Sequence, residues 1–189
     1  MSIDLLSKFI ATKILRMENG NLTILDRSMI IIPVEVLIKH HENLVEKVGK
    51  EDADELLFEA GKFETVTGSV RYLKRREELR SVFPNVSKTG DPSIEMGRET
   101  LKFMGKGDIL IKEVINKGEK IILSTENSPF ALEYIKTRGK SNEPVCHYLM
   151  GVMCGVQEAY YNMKYKATEL SCKATGKSHE CIFEFIKKD

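Results

Sequence analysis

The sequence predicts an α+β domain in which an antiparallel sheet packs against several helices. Three patterns carry this reading. The stretches "GDILIKEVINKGEKIILST" (107–125) and "YKATELSCKATGKSHECIFEFIKK" (165–188) each alternate apolar and polar residues on both sides of a glycine-bearing turn, the mark of a hairpin with one buried face. Between them and upstream lie segments with apolar residues at helical spacing. No internal repeat or linker-like tract interrupts the 189 residues, and 42% hydrophobic content suits one core, so residues 1–189 are read as a single domain.

Taken in order, "DLLSKFIATKIL" places Leu5, Leu6, Phe9, Ile10 and Ile14 at amphipathic helical spacing, giving an N-terminal helical segment over 1–16 whose last residues could instead form a strand. Asn19-Gly20 marks a turn. "NLTILDRSMIIIP" holds one or two strands and ends at Pro33, which can open a helix that runs to about Gly49. The following helix carries Leu56, Leu57, Ala60, Phe63, Thr67 and Val70 as its expected buried face. Gly61 and Gly68 lie on that face and argue for close backbone contact with a neighbour. "FPNVSKTGDPS" is a loop, and "IEMGRETLKFMG" a further helix. In the first hairpin Ile109, Ile111, Val114, Ile121 and Leu123 are the expected core residues. Ser128 caps a short helix with Pro129 as its first residue, closing at Gly139. "EPVCHYLMGVMCGVQEAYYNM" is apolar nearly all round and reads as a buried helix, in which Gly151 and Gly155 form a small-xxx-small packing pair.

Charge and motifs exclude several functions. The net charge of +1 offers no global field for nucleic acid or an anionic membrane. The basic run "RYLKRREELR" is interleaved with Glu77 and Glu78 and reads as a solvated helix face. No apolar run is long enough to span a bilayer, and no signal peptide is legible, which places the chain in the cytoplasm. There, four cysteines read as thiols or metal ligands more readily than as disulfides. Dinucleotide, Walker A, zinc-protease and nucleophile-elbow motifs are all missing.

The cysteines carry the chemistry. Two sulfurs bound to one zinc ion must approach within roughly 4 Å. Cys146 and Cys154, eight residues apart, would be separated by about 12 Å along an intact helix, so they cannot share one ion. A metal site would therefore take Cys172 and Cys181 from the last hairpin and one sulfur from Cys146 or Cys154. Glu169, His147 or His179 could complete four ligands, with His147 poorly placed around the helix from Cys146. The alternatives are buried small thiols and a cross-strand Cys172–Cys181 disulfide.

The run "VCHYLMGVMCGVQEAYYNMKYKATELSCKATGKSHECIFEF" resembles the C-terminal half of the 4-vinyl-reductase domain family. That family is similar to the effector-sensing domains of phenol- and xylene-responsive activators. Its fold resembles that of Golgi transport subunits and nitric-oxide signalling proteins. The match rests on Cys146, Gly151, Gly155, Glu169, Cys172, Gly176, Cys181 and Phe183; the interval from Cys172 to Cys181 is about one residue longer than in the sensors. The resemblance implies a zinc ion held by Cys146, Glu169, Cys172 and Cys181, with residues 143–187 forming the zinc-binding helix and hairpin. Glu169 and Cys172 are an odd number of residues apart, so both can face one metal only if a bulge falls near Leu170 and Ser171.

The resemblance also implies a stand-alone sensing domain that binds a hydrophobic or aromatic small molecule in an apolar pocket, for which Phe103, Phe130, Tyr134, Tyr148 and Met150 are candidate lining residues. It implies a homodimer, with the N-terminal segment 1–16 as an interface element, and a separate output protein. The chain has no tryptophan, a residue the phenol sensors use to hold the hydroxyl, so phenol itself is not implied. A tethering subunit of the same fold is the alternative. Vinyl reductase chemistry in tetrapyrrole metabolism is the weaker one, since nothing here announces a nicotinamide site.

Overall fold

A computed structural model describes residues 15–24, 27–74 and 92–189; the side chains of 67–74, 92–96 and 103 lie outside the description. The expected helix over 5–14, the loop over 83–91 and most of the basic run over 71–80 also fall outside it.

Leu15 and Arg16, at the end of the N-terminal segment where the sequence left a strand open, begin strand β1 (Leu15–Glu18). The reason is the turn beside them. Asn19 and Gly20 both have positive φ, 51° and 77°, as a two-residue type I′ hairpin requires, and this turn pairs Glu18 with Asn21. Strands β2 (Asn21–Ile24) and β3 (Arg27–Met29) complete a small antiparallel sheet in the order β1-β2-β3. Pro33 is the cap of helix α1 (Val34–Val48), one position before the helix proper. Its ring fixes φ at −60° while ψ stays extended at 142°.

Helix α2 (Lys50–Lys74) packs along α5 (His147–Tyr161). Its buried stripe differs from the expected one. Ala53, Leu57, Gly61 and Thr65 are buried, whereas Leu56 is 51% and Phe63 68% exposed, and Ala60 is exposed too. Small residues at i, i+4 spacing let two backbones approach, and closeness rather than side-chain bulk decided which face turned inward. A Cβ at Gly61 would overlap the Tyr148 carbonyl, and one at Gly151 would overlap the Phe58 carbonyl. Gly155 is closed off in the same way by the Thr65 hydroxyl, which lies 3.0 Å from the Val152 carbonyl across the joint. Gly61 of α2 and the Gly151/Gly155 pair of α5 therefore serve the same joint, while the surroundings of Gly68 lie outside the description. Thr67 and Val70 have no described side chains.

Helix α3 (Pro92–Phe103) leads to the four-stranded antiparallel sheet, ordered β4-β5-β7-β6: β4 (Leu110–Ile115), β5 (Lys120–Thr125), β6 (Tyr165–Ser171) and β7 (Cys181–Lys187). Alternation turns Ile121 and Leu123, Phe183 and Phe185, and Tyr165 inward. They form one core with Leu149, Val152 and Met153 of α5 and with Phe130 and Ala131 of α4 (Pro129–Arg138). Of the expected hairpin core, Ile109, Ile121 and Leu123 are buried and Ile111 is half-buried. Val114 is 41% exposed: β4 is the edge strand, and its register shifts between Ile111 and Glu113, so Val114 sits opposite Ile121 at the less covered border.

Helix α4 begins and ends as its sequence indicates. The Ser128 side chain accepts from the Ala131 N–H, Pro129 follows, and Gly139 closes the helix. At its far end Arg138 ties to Glu42 of α1, Nε to Oε1, at 2.7 Å. Helix α5 buries a carboxylate, Glu158, which pairs with Lys62 (3.0 Å) and Lys164 (2.8 Å) and accepts from the Tyr165 N–H. Burial alone would raise the Glu158 pKa, but the two lysine hydrogen bonds prevail and hold it below the ordinary value. Among the described residues no helix is long and apolar enough to cross a membrane.

Candidate metal centre

Four residues from three chain segments converge where α5 meets the last hairpin. Cys146 is the N-cap of α5, just ahead of the helix rather than within it. Cys181 opens β7, and Cys172 follows β6 at the head of the short turn Lys173–Thr175. Glu169 lies in β6. The odd spacing of Glu169 and Cys172 is resolved by a register shift: Glu169 pairs with Phe183, but Ser171 pairs with Ile182. One residue is absorbed there, Leu170 is turned out to 54% exposure, and Glu169 and Cys172 come to the same side.

One ligand atom from each of Cys146, Glu169, Cys172 and Cys181 lies within 4.8 Å of the others. The Cys146 sulfur is 3.7 Å from that of Cys181 and 4.0 Å from that of Cys172. A tetrahedron with zinc–sulfur bonds of about 2.3 Å has edges of about 3.8 Å, so these separations already match one metal sphere. All four cysteines are free thiols, which rules out the cross-strand disulfide in this structure. The carboxylate supplies a second indication. Glu169 Oε2 accepts from the Cys146 N–H at 3.1 Å, whereas Oε1 is buried without a hydrogen-bond partner. A buried orphan carboxylate oxygen is costly, and a cation would satisfy it. Three sulfurs and one oxygen suit zinc in a closed tetrahedral shell.

The protonation pattern is that of a shared acidic cluster. Burial, followed by hydrogen bonds with Cys172 and Cys181, pushes the Cys146 thiol up. Burial, reinforced by the Cys172 charge, raises the Glu169 carboxyl to about 9. Cys181 moves the other way, to about 4, because Cys146 and then Cys172 donate to its sulfur, with the Lys173 N–H adding a bond at 3.3 Å. Cys181 is thus the ready thiolate, and a cation entering the cluster displaces protons from Cys146 and Glu169.

The other candidate donors stand apart. Cys154 is two turns along α5, its sulfur 4.0 Å from Glu158, and its pKa is raised to about 12, by burial first and then by the Glu158 charge. His147 turns to Asp54 (3.3 Å) and to the Pro144 carbonyl (3.1 Å), and burial lowers its pKa. Asp54 also binds His41 at 2.7 Å. His179 is exposed in the turn.

The expected apolar lining residues fall in or against the main core. Phe130 and Met150 are buried; Tyr134 and Tyr148 are half-buried and packed on the same cluster. The Phe130 and Tyr148 rings are 5.4 Å apart. Phe103 ends α3, with its side chain outside the description. An open polar cleft of about 240 Å³, lined by Arg16, Glu18, Asn19, Asn21 and Thr23, involves none of them. Two neighbours of Tyr148 had no signal in the sequence. Its hydroxyl donates to Glu64 Oε2, and Lys106 lies 4.7 Å from its ring centroid and 3.1 Å from the same carboxylate. These contacts join positions up to 84 residues apart, which no local pattern encodes.

No family model and no curated protein matches the chain. Solved structures do. The phenol-responsive sensory domain of the transcription activator PoxR, solved with phenol, matches with a TM-score of 0.72 and 20% identity, over 99% of this chain and 91% of that one. A vinyl-4-reductase family protein from Methanocaldococcus jannaschii matches with a TM-score of 0.54 and 19% identity, over 98% and 94%. A trafficking protein particle complex subunit 3 from Naegleria fowleri, covalently bound to palmitic acid, matches with a TM-score of 0.50 and 13% identity, over 82% and 95%. The chain therefore has the fold shared by a phenol-responsive sensory domain, a vinyl-4-reductase family protein and a trafficking-complex subunit, as its vinyl-reductase-like C-terminal segment implied.

Proposed function

We propose that this chain is a small-molecule sensing domain built around a structural zinc ion held by Cys146, Glu169, Cys172 and Cys181. The observation that carries the metal reading is the convergence of four soft and hard donors within 4.8 Å, one of them a carboxylate with a buried oxygen that has no hydrogen-bond partner. Zinc in such a shell keeps no position open for water, so its work is to fasten the head of α5 to the β6–β7 hairpin. The sensing half rests on fold likeness to a phenol-responsive domain and on Phe130, Tyr134, Tyr148 and Met150, which lie in or against one apolar cluster. The ligand class is apolar or aromatic, the working form a homodimer in the cytoplasm, and the signal passes to a separate output protein.

The metal test is elemental analysis of purified wild type beside Cys172→Ala and Cys154→Ala. Zinc near one equivalent is expected in wild type and Cys154→Ala and lost in Cys172→Ala. Retention by the Cys172 variant, or loss in the Cys154 variant alone, overturns the assignment. For the ligand, native mass spectrometry should show a co-purified apolar molecule, or a hydrophobic dye should bind and be displaced by aromatic compounds.

A second reading, a tethering or interaction subunit, draws support from the exposed apolar run at Ile30 and Ile31, 80% and 87% accessible. On that reading no small molecule is bound, and pull-down with Ile31→Asp as control recovers a protein partner that the variant loses.

A further inference from the structure

Resting on the metal reading above, we propose that Ser128 is a positioning residue of the centre, whose hydroxyl donates to the Cys146 thiolate and sets how tightly the metal is held. Ser128 is fully buried at the start of α4. Its Oγ lies 3.2 Å from the Cys146 sulfur and 3.3 Å from the Ala131 nitrogen. A hydroxyl has one proton and two acceptor sites. The Ala131 N–H donates, so it occupies an acceptor site and leaves the Ser128 proton free to point at sulfur. A metal-bound thiolate has no proton of its own, which fixes the direction of the bond.

The charge at the centre shows why such a donor matters. Three thiolates and a carboxylate around a dication leave a net charge of −2 in a buried site, and buried charge is tolerable only with donors aimed at it. The Lys173 N–H serves Cys181. Ser128 is a side chain doing the same for Cys146, and so it can be removed without altering any metal ligand. Capping alone does not account for it, because a cap needs only an acceptor oxygen. The position of Ser128 against sulfur makes the metal and the first turn of α4 share one hydroxyl. Phe130, two residues on, packs against Tyr148, so the same residue also links the centre to the proposed ligand-facing cluster.

The test compares wild type, Ser128→Ala, Ser128→Gly and Cys172→Ala. Zinc affinity is read by competition with a chromophoric chelator, and the thiolate-to-cobalt charge-transfer band by absorption of the Co²⁺-loaded proteins. Loss of the hydroxyl should weaken zinc by about tenfold to a hundredfold, the usual effect of removing an outer hydrogen bond, and move the cobalt band to lower energy. Glycine is a tolerated N-cap, so Ser128→Gly carries the test if the alanine variant fails to fold. Affinity within about twofold of wild type, with an unmoved band, overturns the proposal while leaving the zinc site standing. A wild type that, like Cys172→Ala, shows no thiolate-to-cobalt band overturns the metal reading and this proposal together.

Discussion

Glu169 shows how a single residue can be legible in part. Its distance from Cys172 demanded a bulge near Leu170 and Ser171, and the register shift is there. Ser128 was legible only as a cap, because its approach to Cys146 spans 18 residues and depends on how α4 and α5 dock. The protonation of the cluster sets a pH dependence. Cys146, pushed up, and Glu169, raised to about 9, hold protons at neutral pH that a cation must displace. Lowering the pH from 8 to 6 should therefore weaken zinc binding steeply, with at least two protons released per ion, as chelator competition in weakly buffered solution can count. Glu158 acts in the opposite sense. Its folded pKa is held below 4.5, so its stabilisation is present above that value and is lost as pH falls through the lowered pKa. Glu158→Gln should flatten the acid limb of the stability curve measured by urea unfolding between pH 3 and 6.

Among the elements, α4 and the two late hairpins were readable because their signals are local: a cap, a proline and a closing glycine for α4, period-two alternation around a turn for the strands. The face of α2 was not. Hydrophobicity pointed to Leu56 and Phe63, whereas the partner helix selected Ala53, Gly61 and Thr65 for being small. Two glycines hinted at this, but the identity of their partner lay almost ninety residues away. The joint yields a direct expectation. Gly61→Ala and Gly151→Ala each force a methyl group into an opposing carbonyl, and overpacking of this kind costs about 1–3 kcal/mol. Chemical denaturation should show that loss for both, and Gly97→Ala, which meets nothing within 4 Å, should show none.

For the molecule as a whole, antiparallel sheet against helices followed from the α+β pattern, while the strand order β4-β5-β7-β6, which sets the two late hairpins side by side through β5 and β7, had no local signal. Metal removal is the global test. Apparent zinc binding energies of about 10–16 kcal/mol rival the whole stability of a domain, about 5–15 kcal/mol. A strong chelator should lower the melting temperature by ten degrees or more, a shift that a loss of about 2.5–5 kcal/mol produces at this size. Amide exchange should rise first in β6, β7 and the head of α5, and added zinc should reverse it.

The glycine joint between α2 and α5 also limits how this protein can move. Two helices touching backbone to backbone have no side-chain layer in which to slide, so they travel as one rigid body. The cluster at Cys146 fastens the β6–β7 hairpin to the same body. Helix α4 belongs to it as well, with Phe130 and Ala131 in the shared core and Ser128 against Cys146, whereas its tie to α1, the exposed Arg138–Glu42 ion pair, is readily remade. Motion over so fixed a platform is cheapest where only such a surface ion pair must be broken.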